Sequence, residues 1–152
     1  NAGRYEAVHI SGSVSYFTNS GTIASTATSG GGVSIGGDVT TFTNSGKVTA
    51  DTNAAVYING VAQTVNNSGT IHGEGGLIRP NATKTTGINA GAIEGTSGPA
   101  IQFGGQDNTL VLKTGAIVLG AVDAAFQQQF KGGQVPGHQL REQRFLARHQ
   151  QV

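Results

Sequence analysis

A short motif recurs along the chain at nearly constant intervals, and this repetition limits the possible folds more than any other feature. Residues 17–23, 42–48 and 65–71 read FTNSGTI, FTNSGKV and VNNSGTI, and weaker copies occupy residues 88–93 and 111–117. The motif glycines stand at positions 21, 46, 69, 91 and 115, so successive steps are 25, 23, 22 and 24 residues. This regularity predicts a stack of similar structural units.

Each repeat alternates apolar and polar residues, as in VYIN at residues 56–59, and Gly, Asn, Ser and Thr separate the alternating segments. A period of two with turn residues between predicts short strands, and no window in residues 1–125 sustains the helical period. A unit of this length is too short for a propeller blade and lacks the leucines of a horseshoe repeat. The sequence therefore predicts an all-β, right-handed parallel β-helix of about five coils, stacked at roughly 4.8 Å.

Counting from the motif glycines predicts which side chains point inward, because residues of equal parity share one face of a strand. Phe17 and Phe42 are expected to stack. An apolar pair precedes each of the first three motif glycines by 13 and 11 residues, and in the fourth repeat the same count places Ile78 and then Pro80 in these inward positions. The residues predicted to be buried are Val8, Ile10, Ile23, Val33, Ile35, Val48, Val56, Ile58, Ile71, Ile93 and Ile117.

An asparagine precedes four of the motif glycines by two residues and has inward parity. Stacked carboxamides can hydrogen-bond from coil to coil or satisfy the backbone of a bend. We expect a structural ladder of Asn19, Asn44, Asn67 and Asn89, with ligand binding by this column as the alternative. The neighbouring glycines are expected to supply the φ angle that the bend requires.

Composition excludes several classes of protein. The 152 residues include 25 Gly and 3 Pro but no Cys, Met or Trp, and only 11% are charged. Glycine without a period of three excludes collagen, and the absence of cysteine excludes disulfide frameworks, thiol nucleophiles and thiolate metal sites. The chain begins at Asn1 without an initiator Met or a signal-peptide core, so a mature or excised fragment is expected.

The repeated motif resembles the β-helical repeats of Gram-negative autotransporter passengers of the pertactin-like class. The intervening Val-x-Ile-x-Gly strands and the stretch GQDNTLVLKTGAIVLG at residues 105–120 carry the same resemblance, which covers residues 7–124. It implies secretion through a C-terminal outer-membrane barrel and an extracellular location at the bacterial cell surface. Nothing resembling a passenger protease triad is present.

The C-terminal segment departs from the repeat. Residues 126–152 hold eight Gln, four Lys or Arg and one acid, for a net charge of +3 against −2 in residues 1–125. We therefore divide the chain into β-helix repeats (1–125) and a Gln-rich basic tail (126–152). The tail is expected to cap the last coil by folding onto Val111, Ile117 and Leu119, or else to be a non-native extension. Its dispersed positive charges lack interleaved aromatics and do not predict nucleic-acid binding.

Catalytic chemistry has few candidates in this sequence. Asp51 and Glu74 both follow their motif glycines by five residues on adjacent repeats, near enough to share a proton or a cation. His72 and Arg79 complete a patch that mixes acid, base and cationic groups, and these four residues are the predicted ligand-binding set. No metal-ligand spacing, phosphate-binding loop or cofactor motif accompanies them, so neither a metal nor a cofactor is expected.

Two functions remain open from the sequence. The first is a noncatalytic adhesin or stalk segment that binds a host-surface protein or glycan, or acts as a spacer, through an extended face. The alternative is a polysaccharide lyase or glycosidase that uses Asp51 and Glu74. The exposed N-terminal end also predicts end-to-end self-association.

Overall fold

The structure is a computed structural model that describes residues 6–128. In this part of the chain every regular element is a strand, and there is no helix. The strands are β1 (Val8–Ile10), β2 (Val14–Asn19), β3 (Thr22–Ser25), β4 (Val33–Ile35), β5 (Val39–Asn44), β6 (Lys47–Ala50), β7 (Ala54–Ile58), β8 (Ala62–Asn67), β9 (Thr70–Gly73), β10 (Gly75–Arg79), β11 (Thr86–Asn89), β12 (Ala92–Gly95), β13 (Ile101–Leu112), β14 (Ile117–Leu119) and β15 (Val122–Gln128).

Successive coils place one strand on each of three faces. The first face holds β1, β4, β7, β10 and the start of β13; the second holds β2, β5, β8, β11 and the end of β13. The third face holds β3, β6, β9, β12 and β14. Every strand pair is parallel, and β13 joins the first two faces into one ten-stranded sheet. The predicted all-β parallel β-helix of about five coils is confirmed.

Most of the predicted core is buried between the three faces. The buried members are Val33, Ile35, Val48, Val56, Ile58, Ile71 and Ile93. In the first coil the apolar residues are only half-buried, because in the described residues no coil covers them from below; these are Val8, Ile10 and Ile23. The rings of Phe17 and Phe42 stack with centroids 5.0 Å apart and planes 3° from parallel, as predicted.

The prediction was wrong for the apolar positions of the fourth coil. Parallel pairing sets Leu77 opposite Val56 and Arg79 opposite Phe103, so Leu77 and Arg79 take the inward positions. Ile78 instead pairs with the outward residue Tyr57. The count from the motif glycine failed because the corner after β10 is one residue longer: Thr86 follows Ile78 by eight residues, whereas their pairing partners Thr64 and Tyr57 are seven residues apart.

Ile117 was also predicted to be buried, and it is 50% exposed. Its neighbour Val118 pairs with Ile93 and packs against the core in its place. The reason lies in the preceding bend. Leu112 occupies the position of the ladder asparagine, and the chain then closes a wider turn over residues 113–116, with Gly115 at a φ of 84°.

The asparagine ladder is present as predicted. Side-chain nitrogens donate to the carboxamide oxygen of the next coil over 2.8 Å (Asn19 to Asn44), 2.9 Å (Asn44 to Asn67) and 2.8 Å (Asn67 to Asn89). Each nitrogen also donates to a backbone carbonyl two residues ahead, which closes its own bend. The ladder therefore fixes the coil-to-coil register and the bend geometry together.

The motif glycines serve a different purpose from the predicted one. A positive φ occurs at Gly115 but at none of Gly21, Gly46, Gly69 and Gly91. A Cβ on Gly46, Gly69 or Gly91 would instead overlap the carbonyl oxygen of the motif glycine in the coil below. Glycine is required at these three positions because the backbones of adjacent coils approach too closely there for any side chain.

Removing one carboxamide from the middle of the ladder should destabilise the protein. In Asn44→Ala the partners on both sides, Asn19 and Asn67, lose a hydrogen bond in a buried setting, which costs about 2 to 3 kcal/mol. Asn19→Ala interrupts the ladder at its end and should cost about 1 kcal/mol. Urea unfolding of both variants measures the difference. Equal and negligible losses would mean that the ladder does not stabilise the fold.

The predicted C-terminal cap lies largely outside the described residues, which end at residue 128. Within them, the backbone of β15 continues the stack and pairs with β13. The capping contacts expected from residues 129–152 stay a prediction.

Candidate functional site

Asp51 and Glu74 occupy the corner between the third and first faces. Asp51 directly follows β6, Glu74 lies between β9 and β10, and both residues are exposed. The Glu74 carboxylate accepts hydrogen bonds from the backbone N–H of Asn53 at 2.8 Å and from the hydroxyl of Ser97 at 3.4 Å. Glu74 thus bridges the corners of the coils on either side of its own.

His72 lies on the outward side of the third face, where the parallel pairing sets it beside Glu94. Its Nδ1 is 2.9 Å from a Glu94 carboxylate oxygen, and the two side chains are 41% and 38% exposed. An ion pair or hydrogen bond this exposed contributes at most about 1 kcal/mol to stability. The His72 partner is therefore Glu94, which the sequence analysis did not include.

Arg79 lies inside the solenoid with no exposed surface. Its guanidinium donates to the carbonyl oxygens of Gly60 at 3.0 Å and Ala62 at 3.3 Å and to the hydroxyl of Thr85. Desolvation by burial lowers the pKa of Arg79 to about 10, so it stays cationic at neutral pH. Nε has no hydrogen-bond partner within residues 6–128, and no carboxylate neutralises the charge there.

The long corner after β10 explains why an arginine is needed at this place. Residues 80–85 form a longer corner than residues 59–61 of the coil below, and Arg79 donates to the carbonyl of Gly60 in that lower corner and to the carbonyl of Ala62 at the start of β8. Asn108 supports the same corner: its side chain accepts from the backbone of Thr85 and donates to Ala82. Arg79 therefore satisfies backbone groups, a role suited to a buried polar side chain.

The structure does not assemble the four predicted site residues into one surface patch. Arg79 is interior, and no hydrogen bond or ion pair connects Asp51, His72, Glu74 and Arg79 to one another among the described residues. Ligand binding by the exposed members, Asp51, His72 and Glu74, stays a prediction.

A concavity of about 310 Å³ lies on the first face near the N-terminal coil, and neither Asp51 nor Glu74 lines it. Its walls include Glu6, Ser34 and Tyr57, which the sequence analysis did not select. The sequence could have indicated Ser34 and Tyr57, because both have outward parity on their strands. The parallel pairing of β4 with β7 sets the two residues side by side.

The part of the chain that the structure describes contains no group of three or more His, Cys, Asp or Glu residues arranged to hold a metal ion. None of its elements is a helix long and apolar enough to cross a membrane.

Comparison with known proteins gave no match to a family model, to a curated protein or to a solved structure.

Proposed function

We propose that this chain is a noncatalytic segment of a secreted bacterial surface protein, of the kind formed by autotransporter passengers. In this role the β-helix acts as a stalk and presents an extended face to a host-surface protein or glycan. The observation that carries the proposal is the uninterrupted stack itself. Parallel coils stack without a break, and the asparagine ladder joins four of them, so each of the three faces continues from coil to coil.

The second face offers the most regular surface for such contacts. Thr41, Thr64, Thr86 and Thr109 lie in register on its outward side, one on each of four successive coils. Tyr16 continues the same column on the first coil and is 73% exposed. This column carries hydroxyl groups and one aromatic ring but no charged side chain, which suits a neutral polar partner such as a glycan.

The ends of the rod support a second part of the proposal, end-to-end self-association. Within the described residues, β1, β2 and β3 each pair with a strand on one side only, and Val8, Ile10 and Phe17 are half-buried there. An unpaired parallel edge with partly exposed apolar side chains is a surface on which another β-coil can stack.

A location at the cell surface and export through an outer-membrane barrel of the parent protein are parts of the same proposal. Protease treatment of intact cells that produce the full-length protein tests them. We expect the β-helix to be cleaved or released without lysis, while a periplasmic marker protein stays intact. Protection of the β-helix until the cells are lysed would contradict the surface location.

Binding through the second face is tested with Thr64→Lys, which places a charge in the middle of the threonine column. Adhesion of the purified chain to host cells, or its binding to arrayed neutral glycans, should fall about tenfold or more, because a buried unpaired charge is costly at an interface. Thr49→Lys is the matched control, since Thr49 lies on the third face in the second coil. Equal losses in the two variants would contradict binding by the second face.

The noncatalytic part of the proposal is tested by incubating the chain with neutral and acidic polysaccharides. We expect no release of reducing ends above the background. Release that disappears in both Asp51→Asn and Glu74→Gln would instead establish the polysaccharide-active enzyme, since these are the two carboxylates predicted to carry that chemistry.

A further inference from the structure

We propose that the concavity on the first face binds one ring of a neutral sugar. The concavity lies where the third face turns into the first, and β4, β7 and the corners that precede them form most of its wall. Its volume of about 310 Å³ is enough for a single pyranose ring. This site is separate from the threonine column, which lies on the second face.

The first argument is the state of the Ser34 side chain. Ser34 lines the concavity and is only 6% exposed. Its hydroxyl makes no hydrogen bond within residues 6–128, and it is not sealed off, since the enclosed side-chain atoms without a partner there belong to Glu6 and Arg79. A nearly buried hydroxyl that stays accessible in a concavity can donate to a ligand and accept from it.

The strand register places Ser34 between two larger side chains. Parallel pairing sets His9 of β1 on one side and Tyr57 of β7 on the other, each roughly 4.8 Å away along the stack. The short serine side chain therefore leaves a gap between the two rings. Gly31 keeps the neighbouring wall low, because a Cβ there would lie 2.7 Å from the carbonyl oxygen of Ala54.

The second argument is the aromatic wall that Tyr57 supplies. Its side chain is half-buried and lines the concavity, and its hydroxyl lies 3.5 Å from Oδ1 of Asn59, a long hydrogen bond that orients the ring. A sugar ring carries C–H groups that pack on an aromatic face, while its hydroxyls remain free for polar neighbours. Tyr57 beside Ser34 offers both kinds of contact.

The remaining polar groups select a neutral sugar over other ligands. The Asn53 carboxamide nitrogen donates to the carbonyl of Ser29 at 3.3 Å, which leaves the carboxamide oxygen as an acceptor. No Lys or Arg lines the concavity within the described residues, so the carboxylate of an acidic sugar has no partner there. A purely apolar ligand would leave the Ser34 hydroxyl unsatisfied.

Heteronuclear NMR spectra of the isotope-labelled whole chain test the proposal, with the methyl glycosides of glucose, galactose and mannose as probes. We expect saturable shifts of the backbone amide signals of Ser34 and Tyr57 with at least one glycoside. Ser34→Ala should weaken binding about threefold to tenfold, because one hydrogen bond is lost. Tyr57→Ala should weaken it about tenfold, whereas Tyr57→Phe keeps the ring and should retain most of the affinity.

Ser68→Ala is the matched control for Ser34→Ala. Ser68 is an exposed serine in the bend between β8 and β9, away from the first face, so its loss should leave the affinity unchanged. The same spectra show whether each variant keeps the fold, because a folded β-sheet gives well-dispersed amide signals. Both Ser34 and Tyr57 have outward parity, so neither substitution opens the core.

The absence of saturable shifts with all of the glycosides would overturn the proposal, as would equal affinities of Ser34→Ala, Tyr57→Ala and the parent chain. Methyl glucuronide is the charged probe, and tighter binding of it than of methyl glucoside would contradict a neutral ligand. Sugar binding that is lost in Thr64→Lys but kept in Tyr57→Ala would also overturn the proposal, while it would support binding by the second face. The two proposals can therefore fail separately.

Discussion

Gly69→Ala is expected to destabilise the protein by about 3 to 5 kcal/mol, because a methyl group at this position has no space. It would overlap the carbonyl oxygen of Gly46 in the coil below and also approach Ser45. These are backbone atoms in the middle of the stack, so the clash cannot be relieved by turning a side chain. Thermal unfolding should show a midpoint lower by about 10 °C or more.

Gly21→Ala is the matched control for this substitution. Gly21 occupies the same motif position on the first coil, where a Cβ meets nothing within 4 Å. Its backbone is not in the left-handed region either, so stability should change by about 0.5 kcal/mol or less. Similar large losses at both positions would show that the glycines are needed for backbone conformation rather than for close stacking.

Ile58→Asn should have a comparable effect for a different reason. Ile58 lies in the central coil with no exposed surface. The substitution removes about 1.5 to 3 kcal/mol of apolar burial and places a carboxamide without partners in the core, at a further cost of about 1 to 3 kcal/mol. Urea unfolding monitored by circular dichroism measures the sum, unless the variant fails to accumulate as a folded protein.

Ile117→Asn is the control for Ile58→Asn, because Ile117 is half-exposed and Val118 holds the inward position beside Ile93. The loss should stay below about 1 kcal/mol. A loss as large as that of Ile58→Asn would mean that Ile117 is in the core after all.

The repeat made most of the fold predictable. Identical motifs at similar spacing put the same residue types at the same place in each coil, so Phe17, Phe42 and the asparagines could be aligned without a structure. The alignment failed where a coil changes its loop length. Leu112 replaces the ladder asparagine, so the following bend widens and the face presented by β14 shifts by one residue.

The candidate site was less predictable because single residues, rather than repeated ones, form it. The count from the motif glycine put Ile78 and Pro80 inward and therefore placed Arg79, between them, on the outside, whereas the pairing in the structure turns Arg79 inward. Glu6 precedes the first strand and belongs to no repeated column. Its position over Gly31 follows from the backbone pairing of Ala7 with Gly31, which no motif encodes.

Cysteine crosslinking measures the parallel, in-register stack most directly, because the natural chain contains no cysteine. Thr41 and Thr64 are paired on adjacent coils, at a spacing of about 4.8 Å that a disulfide spans. We expect rapid oxidation of the double variant Thr41→Cys/Thr64→Cys in the folded state. Thr41→Cys/Thr86→Cys, two coils apart at roughly 10 Å, should stay reduced. Preferential crosslinking of the second pair, or crosslinking of the first pair only in denaturant, would contradict the stacked β-helix.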